Sequence, residues 1–282
     1  MPRRCRRLTG STLAVAASLG VTLLASAPVT AQAVPPAASA PAALGQHLVQ
    51  AAHPVGAASS VTDYTSNNWD GYFATAPSHH RDFTAVSATW TQAAVKCTST
   101  KAASAGFWVG LDGWWNDEVE QGGSEARCLN GVPHYNVWWE MFPFNSIQDS
   151  FAIHAGDTIH ASVTYHHTSK MFDIVVQDRT SGQTLTKDTR CQPGQHGCPR
   201  SSAEIISEDI GHTGGGLFPL PDYGTEAYTT ASVTNTHGHT GTLSSSAWQL
   251  GHVTEVTDGV TKQTTSALAQ NGTSFTTTWK HQ

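Results

Sequence analysis

The stretch FWVGLDGWWNDEVEQGG, residues 107–123, decides how we expect this chain to fold. It opens with the apolar residues of a buried strand, breaks at Asp112 and Gly113, and returns toward Gln121 as the second strand of a hairpin. It also holds three Trp, four carboxylates and one Gln. Glycines beside these polar groups let backbone approach a ligand closely. A purely structural hairpin needs no such collection, so we expect a functional site here.

The chain on either side of this hairpin has the pattern of an all-β domain. Apolar and polar residues alternate in strand-like segments, and Gly, Asn, Asp or Pro separates these segments about every 8–12 residues. Besides residues 107–111, the predicted strands are 68–73, 83–90, 135–142, 159–165, 172–176, 183–186, 203–210, 227–234, 242–256 and 274–280. No amphipathic helix of useful length and no repeat of fixed period is present. The pattern predicts an antiparallel two-sheet β-sandwich, concanavalin-like or jelly-roll-like, with a concave polar face.

The composition narrows the classes of partner. Only 13% of the 282 residues are charged, below the roughly 25% of ordinary soluble domains. The formal net charge is −6, although the first 33 residues carry four Arg and no acid. Such a chain is not expected to bind nucleic acid or an anionic membrane. A surface poor in Lys and Arg also loses little to charge repulsion at low pH, which favours an acidic working environment.

The first 61 residues are predicted to lie outside the folded domain. Residues 1–33 have the basic start, apolar core and small-x-small end of a signal peptide, and the apolar run is shorter than the ~20 residues of a membrane span. Residues 34–61 are rich in Ala and Pro, which predicts a disordered linker or propeptide. We therefore expect a secreted, extracellular protein with one β-sandwich domain over residues 62–282.

Four cysteines remain once the signal peptide is removed. An even number in a secreted chain indicates two disulfides, with three possible connectivities. Cys191 and Cys198 bracket a Pro/Gly loop and are the favoured pair, which leaves Cys97 with Cys128. The spacing lacks the paired CxxC units of a zinc site, and we expect neither a metal nor a cofactor.

Two further segments place acids among apolar residues. In WWEMFP, residues 138–143, Glu140 shares its strand face with two aromatic side chains. In AEIISED, residues 203–209, Glu204 and Glu208 lie on the same face. A carboxylate among apolar side chains either lines a cleft or destabilises the fold, because burying an unpaired charge is unfavourable. The alternatives are an exposed Glu140 at a sheet edge and an ordinary solvated strand over residues 203–209, and a single Gln is most often an ordinary surface residue.

Taken in order, the segments FWVGLDG, QGG, WWEMFP and AEIISED resemble the blocks of the glutamic peptidases, the eqolisins. The resemblance covers roughly residues 64–282, and NWDG at 68–71 is similar to the first strand of that family. It implies a two-sheet β-sandwich and a secreted acid endopeptidase that hydrolyses peptide bonds in proteins. The implied partner is a protein or peptide substrate, and a monomer is the default state.

The resemblance also implies roles for individual residues. Its Gln/Glu dyad corresponds to Gln121 and to Glu208, the second acid of its block, and not to Glu204. The residues implied to line or support the cleft are Trp108, Asp112, Trp138 and Glu140. We place the dyad on facing strands, with Glu208 as general base and then acid, and with the Gln121 amide stabilising the oxyanion. The Trp114–Trp115 pair and the acids just before Gln121 depart from the family pattern, which bears on substrate preference.

Two other functions fit part of the pattern. A glycoside hydrolase would use Glu140 and Glu208 as its two carboxylates and the Trp side chains to stack on sugars. A carbohydrate-binding module would use the same Trp side chains and no catalytic acid. Serine and cysteine hydrolases lack support, since the chain has neither a GxSxG elbow nor a Cys in a nucleophile-like context.

Overall fold

The computed structural model describes residues 61–144, 147–211 and 215–282. The predicted signal peptide and, apart from Val61, the predicted linker lie outside the described residues. The described part contains one 3-10 turn, Gln270–Gly272, and sixteen strands. In chain order the strands are β1 Val61–Ser66, β2 Trp69–Thr75, β3 Phe83–Thr91, β4 Ala103–Leu111, β5 Val119–Leu129, β6 Val132–Phe142, β7 Ile147–Ala152, β8 Thr158–His166, β9 Met171–Asp178, β10 Thr184–Thr189, β11 Ser202–Asp209, β12 Thr225–Asn235, β13 Thr240–Gly241, β14 Gln249–Thr257, β15 Val260–Thr265 and β16 Phe275–Trp279.

The strands form one long antiparallel path. Its order is β10-β9-β8-β3-β12-β16-β15-β14-β2-β11-β4-β5-β6-β7, with β1 pairing in parallel to β14 and β13 pairing to β12. Strands β3 and β8 also contact β4 and β5, which are not their neighbours along this path. The prediction of an antiparallel all-β fold is therefore confirmed for the described residues.

Burial follows the predicted periodicity. In β8 and β9 every second side chain is buried, as expected for strands with one covered face. The whole of β4 and β11 is buried instead, because each strand is covered on both faces. The larger apolar core lies where β3 and β8 contact β4 and β5, and it includes Phe107, Val109 and Leu111 of β4.

A second apolar cluster covers the other face of β4 and β11. We call it the front cluster, and its buried members are Trp69, Phe73, Trp108, Trp114, Val119, Trp138, Phe142, Ile206, Ile210 and Val253. The hairpin that opens the sequence pattern thus has the main core behind it and an aromatic surface in front of it.

One predicted strand is wrong in extent. Residues 242–256 were expected to be a single strand, whereas β14 begins only at Gln249. The preceding residues turn instead, and the hydroxyls of Thr242 and Ser244 both donate to the carbonyl oxygen of Asn271. Such side-chain bonds offer the backbone an alternative to strand pairing. Strands β1, β7, β13 and β15 were not predicted.

Two disulfides fasten the described domain. Cys97 is bonded to Cys128 and Cys191 to Cys198, which is the pairing that the loop spacing favours. No helix among the described residues is long and apolar enough to cross a membrane.

Candidate active site

Four neighbouring strands, β11, β4, β5 and β6, present one shared face that carries the predicted site residues. Residues directly opposite each other in antiparallel strands point to the same side of a sheet. Gln121 pairs with Glu140 on one side and with Gly110 on the other, while Trp108 pairs with Ile206. These side chains therefore lie on the face of the front cluster.

Gln121 and Glu208 do not lie on facing strands, so that part of the hypothesis is wrong. They lie on β5 and β11 of the same sheet, with β4 between them. The indole of Trp108 connects the two positions. Its Nε1 donates to Glu208, and its six-membered ring lies over Gly110, the register partner of Gln121. Because Gly110 has no side chain, the space on β4 between the dyad residues is left to Trp108.

The amide of Gln121 is held by Glu140. Its Nε2 donates to Glu140 Oε2 at 2.9 Å, and both residues are buried. Oε1 of each side chain is also buried and accepts no hydrogen bond from a described residue. Burial raises the pKa of Glu140 well above its usual range, the charge of Glu208 raises it further, and the Gln121 hydrogen bond opposes both.

The carboxylate of Glu208 has a donor on each oxygen. Asn68 Nδ2 donates to Oε1 at 2.9 Å, and Trp108 Nε1 donates to Oε2 at 2.8 Å. Burial raises the pKa of Glu208 to about 8, although the hydrogen bonds from Trp108 and Asn68 favour the ionised form. A carboxyl group with this pKa can both accept and return a proton near neutral pH.

Glu204 shares the register row of Gln121 but not its surroundings. It pairs with Gly110, so a reading of the register alone would put it closer to Gln121 than Glu208 is. Burial raises the pKa of Glu204, the Ser202 side chain lowers it, and the charge of Asp112 raises it. Ser202 and Asp112 lie at the opposite end of the strand from Glu208. Glu208, and not Glu204, interacts electrostatically with Glu140.

Asp112 supports the cleft and does not line it. Its carboxylate accepts hydrogen bonds from the backbone N–H of Arg200 and Ser201, at 2.5 and 2.7 Å, and from the side chains of Ser201 and Asn116, both at 2.9 Å. These bonds tie the β4–β5 turn to the segment that leads into β11. Asp112 therefore fixes the strands that carry Gln121 and Glu208 relative to each other.

Trp138 belongs to the front cluster, as the predicted face pattern required. It is buried opposite Gly123, and its Nε1 donates to no described residue. Trp69 and Trp108 pack edge to face with ring centroids 5.0 Å apart.

Sequence reasoning identified Trp108 and Trp138 but missed Asn68 and Trp69. The NWDG segment predicts only a first strand in the sequence analysis, although an Asn beside a Trp at the start of a strand can also indicate donors to a carboxylate.

Comparison with known proteins gives one family. The sequence profile described as the peptidase A4 family matches residues 67–279. No curated protein matches the chain.

Solved glutamic peptidases have a similar fold. Scytalido-glutamic peptidase in complex with a transition state analog inhibitor aligns with a TM-score of 0.64 at 23% identity, covering 76% of this chain and 98% of that one. SCP-B, a member of the eqolisin family in complex with the tripeptide Ala-Ile-His, aligns with a TM-score of 0.60 at 23% identity and the same coverage. Aspergilloglutamic peptidase from Aspergillus niger aligns with a TM-score of 0.55 at 26% identity, covering 63% of this chain and 99% of that one.

Proposed function

From the premise that this chain belongs to the peptidase A4 family and is a glutamic peptidase, we propose that it is a secreted acid endopeptidase whose dyad is Gln121 and Glu208. One observation carries the assignment. Glu208 is held by Trp108 and Asn68 on the same buried face as the Gln121–Glu140 pair, and its charge acts on Glu140. The family assignment favours this reading over a glycoside hydrolase or a carbohydrate-binding module.

Each step of amide hydrolysis has a group to perform it. Ionised Glu208 removes a proton from the attacking water and later delivers it to the leaving amine. The Gln121 amide has two N–H donors, of which one is engaged by Glu140. The second N–H donates to the tetrahedral oxyanion, and the amide oxygen accepts from the water. Glu140 fixes which end of the amide faces the substrate, so Gln121 needs no reorganisation during the reaction.

Two opposing effects set the working pH. Because the pKa of Glu208 is raised to about 8, the ionised base is the minority form in acid, and the rate increases as pH rises. The domain also contains many other buried carboxyl groups with raised pKa, so its stability decreases over the same range. We place the working range on the acidic side of neutrality, between these two limits.

Secretion is part of the proposal. Two disulfides support it, because such bonds persist in oxidising environments outside the cytosol. Cleavage of residues 1–33 as a signal peptide would leave a secreted chain that begins after Ala33. N-terminal sequencing of protein recovered from the culture medium checks this, and a retained Met1 would contradict it.

Substitution of the dyad tests the mechanism. Glu208→Gln and Gln121→Ala should each lower kcat/KM on denatured casein at acidic pH by about 10²–10⁴-fold, since each removes a group that acts in the transition state. Glu204→Gln is the matched control, because it changes a buried acid on the same face of the same strand. Circular dichroism checks that each variant is folded. Activity within tenfold of wild type for either dyad variant would sink the assignment.

A further inference from the structure

A cavity lies at the end of the candidate cleft, beside the segment that departs from the family pattern. It encloses about 380 Å³ and is lined mainly by Asp117, Glu118, Phe142, Pro143, His196 and Pro199. Phe142 is common to the cavity and the cleft, since it belongs to the front cluster. The cavity therefore opens off the surface on which the substrate of the proposed reaction would lie.

The spacing between cavity and dyad suits a substrate side chain. Phe142 follows Glu140 by two residues on β6, and both side chains lie on the same face. Two residues of a strand span ~7 Å. Side chains on one side of an extended peptide repeat at the same interval. A peptide bound along the cleft with its scissile bond at Gln121 would thus bring a nearby side chain to the cavity.

The cavity has a buried acceptor without a donor. Glu118 is only 2% exposed, and its Oε2 accepts from the backbone N–H of Cys198 at 2.9 Å. Its Oε1 is buried and accepts no hydrogen bond from a described residue. The neighbouring Arg200 does not supply one, because its guanidinium donates to the carbonyls of Phe83 and Cys198. A buried carboxyl oxygen without a hydrogen-bond donor favours binding of a ligand that supplies an N–H or O–H group.

The charges around Glu118 have mixed signs. Burial raises its pKa, Asp112 and Asp117 raise it further, and His196 and the Cys198 N–H lower it. Asp117 is exposed at the cavity. As pH rises, Glu118, whose pKa is raised by burial, ionises and the cavity becomes more negative. A cationic ligand would therefore be held more strongly at pH 6 than at pH 4.

A second wall of the cavity is held in a fixed position. It comes from the loop closed by the Cys191–Cys198 disulfide. Gln195 anchors this loop with hydrogen bonds to the carbonyl oxygen of Phe142 at 2.9 Å and to Glu120 at 3.2 Å. The sulfurs near Glu118 are bonded to each other, so they are not thiolate ligands for a metal.

We propose that this cavity is a specificity pocket for a lysine or arginine side chain close to the scissile bond. The inference rests on the proposed peptidase function. The aliphatic stem of the basic residue packs on Phe142, Pro143 and Pro199, and its charged end pairs with Asp117 and Glu118. The acids before Gln121, which match no family block, thereby acquire a role in substrate selection.

The test compares matched peptides. Internally quenched peptides would carry Lys or norleucine, which has a similar stem without the charge, at each position near the scissile bond in turn. At one position we expect kcat/KM to favour Lys at least tenfold at pH 6, and less at pH 4. Glu118→Gln and Asp117→Asn should each lower this Lys-to-norleucine ratio at least threefold. Glu118→Gln keeps an oxygen for the Cys198 N–H, so the loop anchor is retained.

The control is Asp258→Asn, which removes a charge at an exposed turn whose left-handed backbone suits Asn. It should leave the ratio unchanged. The pocket is refuted if no position favours Lys, or if neither pocket variant changes the ratio. Calorimetry with the Glu208→Gln protein separates pocket from mechanism, because it compares binding of the Lys and norleucine peptides without turnover. Equal affinities would refute the pocket, whereas tighter binding of the Lys peptide would support it even if the dyad assignment failed.

Discussion

At Glu208, burial and hydrogen bonding act against each other. Burial favours the protonated carboxyl group and raises its pKa to about 8, while the hydrogen bonds from Trp108 and Asn68 favour the carboxylate. The general base must be ionised, so these donors determine how much active enzyme exists at a given acidic pH. The importance of Asn68 therefore lies in the pH dependence of the reaction.

Removal of the Asn68 donor should shift the pH profile. Asn68→Ala leaves Glu208 Oε1 without the donor at 2.9 Å, so the pKa of Glu208 should rise by about one unit. The acidic limb of kcat/KM then moves to higher pH, and activity on the acidic limb falls about tenfold. Thr62→Ala, on the adjoining strand β1, serves as a control outside the site. An unchanged limb position, measured as kcat/KM from pH 3 to 8, would show that Asn68 does not tune Glu208.

At the scale of strands, period-two alternation was enough to predict much of the fold. It identified β3, β8 and β9, which have one covered face, and it assigned Trp138 and Glu140 to one side of β6. Edge and polar strands such as β15 escaped prediction because their alternation is weak. The relation between Gln121 and Glu208 also escaped it, since the pairing of β11 with β4 joins segments about a hundred residues apart. Local pattern carries no information about such pairing.

The β4–β5 contact depends on one glycine. A Cβ on Gly123 would lie 2.1 Å from the carbonyl oxygen of Phe107 and 2.6 Å from Cβ of Trp108. Gly123→Ala must therefore separate the two strands, and we expect a loss of about 1–3 kcal/mol in unfolding free energy. Activity should fall as well, because β5 carries Gln121.

Gly106→Ala is the matched control for this change. Its Cβ would meet mainly the terminal Cδ1 of Ile210, at 2.8 Å, which a rotation of that side chain can relieve. Urea unfolding of both variants measures the difference. Equal stabilities would mean that the strands separate without cost.

For the whole molecule, the burial of many acids among the described residues has a consequence for stability. Burial raises the pKa of many acids that lie on several strands, namely Asp70, Glu120, Glu140, Glu204, Glu208, Asp209, Glu226 and Glu255. By contrast, Glu125 is paired with Arg127 at 2.7 Å. A carboxyl group that keeps its proton only in the folded state makes unfolding release protons, so stability decreases with rising pH.

Below the ordinary carboxyl pKa near 4, these groups are protonated in both the folded and the unfolded chain, and the stability is complete. Above that pH the unfolded chain loses protons that the folded chain keeps, so the unfolding free energy falls until the raised pKa values are reached. The melting temperature should therefore be highest near pH 3–4 and fall toward pH 7. Calorimetric melting across this range checks the trend, and a maximum at neutral pH would contradict it.

Asp70 offers the sharpest single-residue test of this pH dependence. It is completely buried, and neither carboxyl oxygen has a partner with hydrogen-bond geometry among the described residues. Burial and the charge of Glu255 raise its pKa, whereas the nearby Thr265 side chain and Glu255 backbone lower it less. Asp70→Asn removes the titration and keeps the shape. At pH 7 the variant should have a higher melting temperature than wild type, while at pH 3 the two should match. The exposed Asp258→Asn change should have no effect at either pH. If Asp70→Asn were equally stabilising at both pH values, the gain would come from packing, and the acid-stable character of the fold would need another cause.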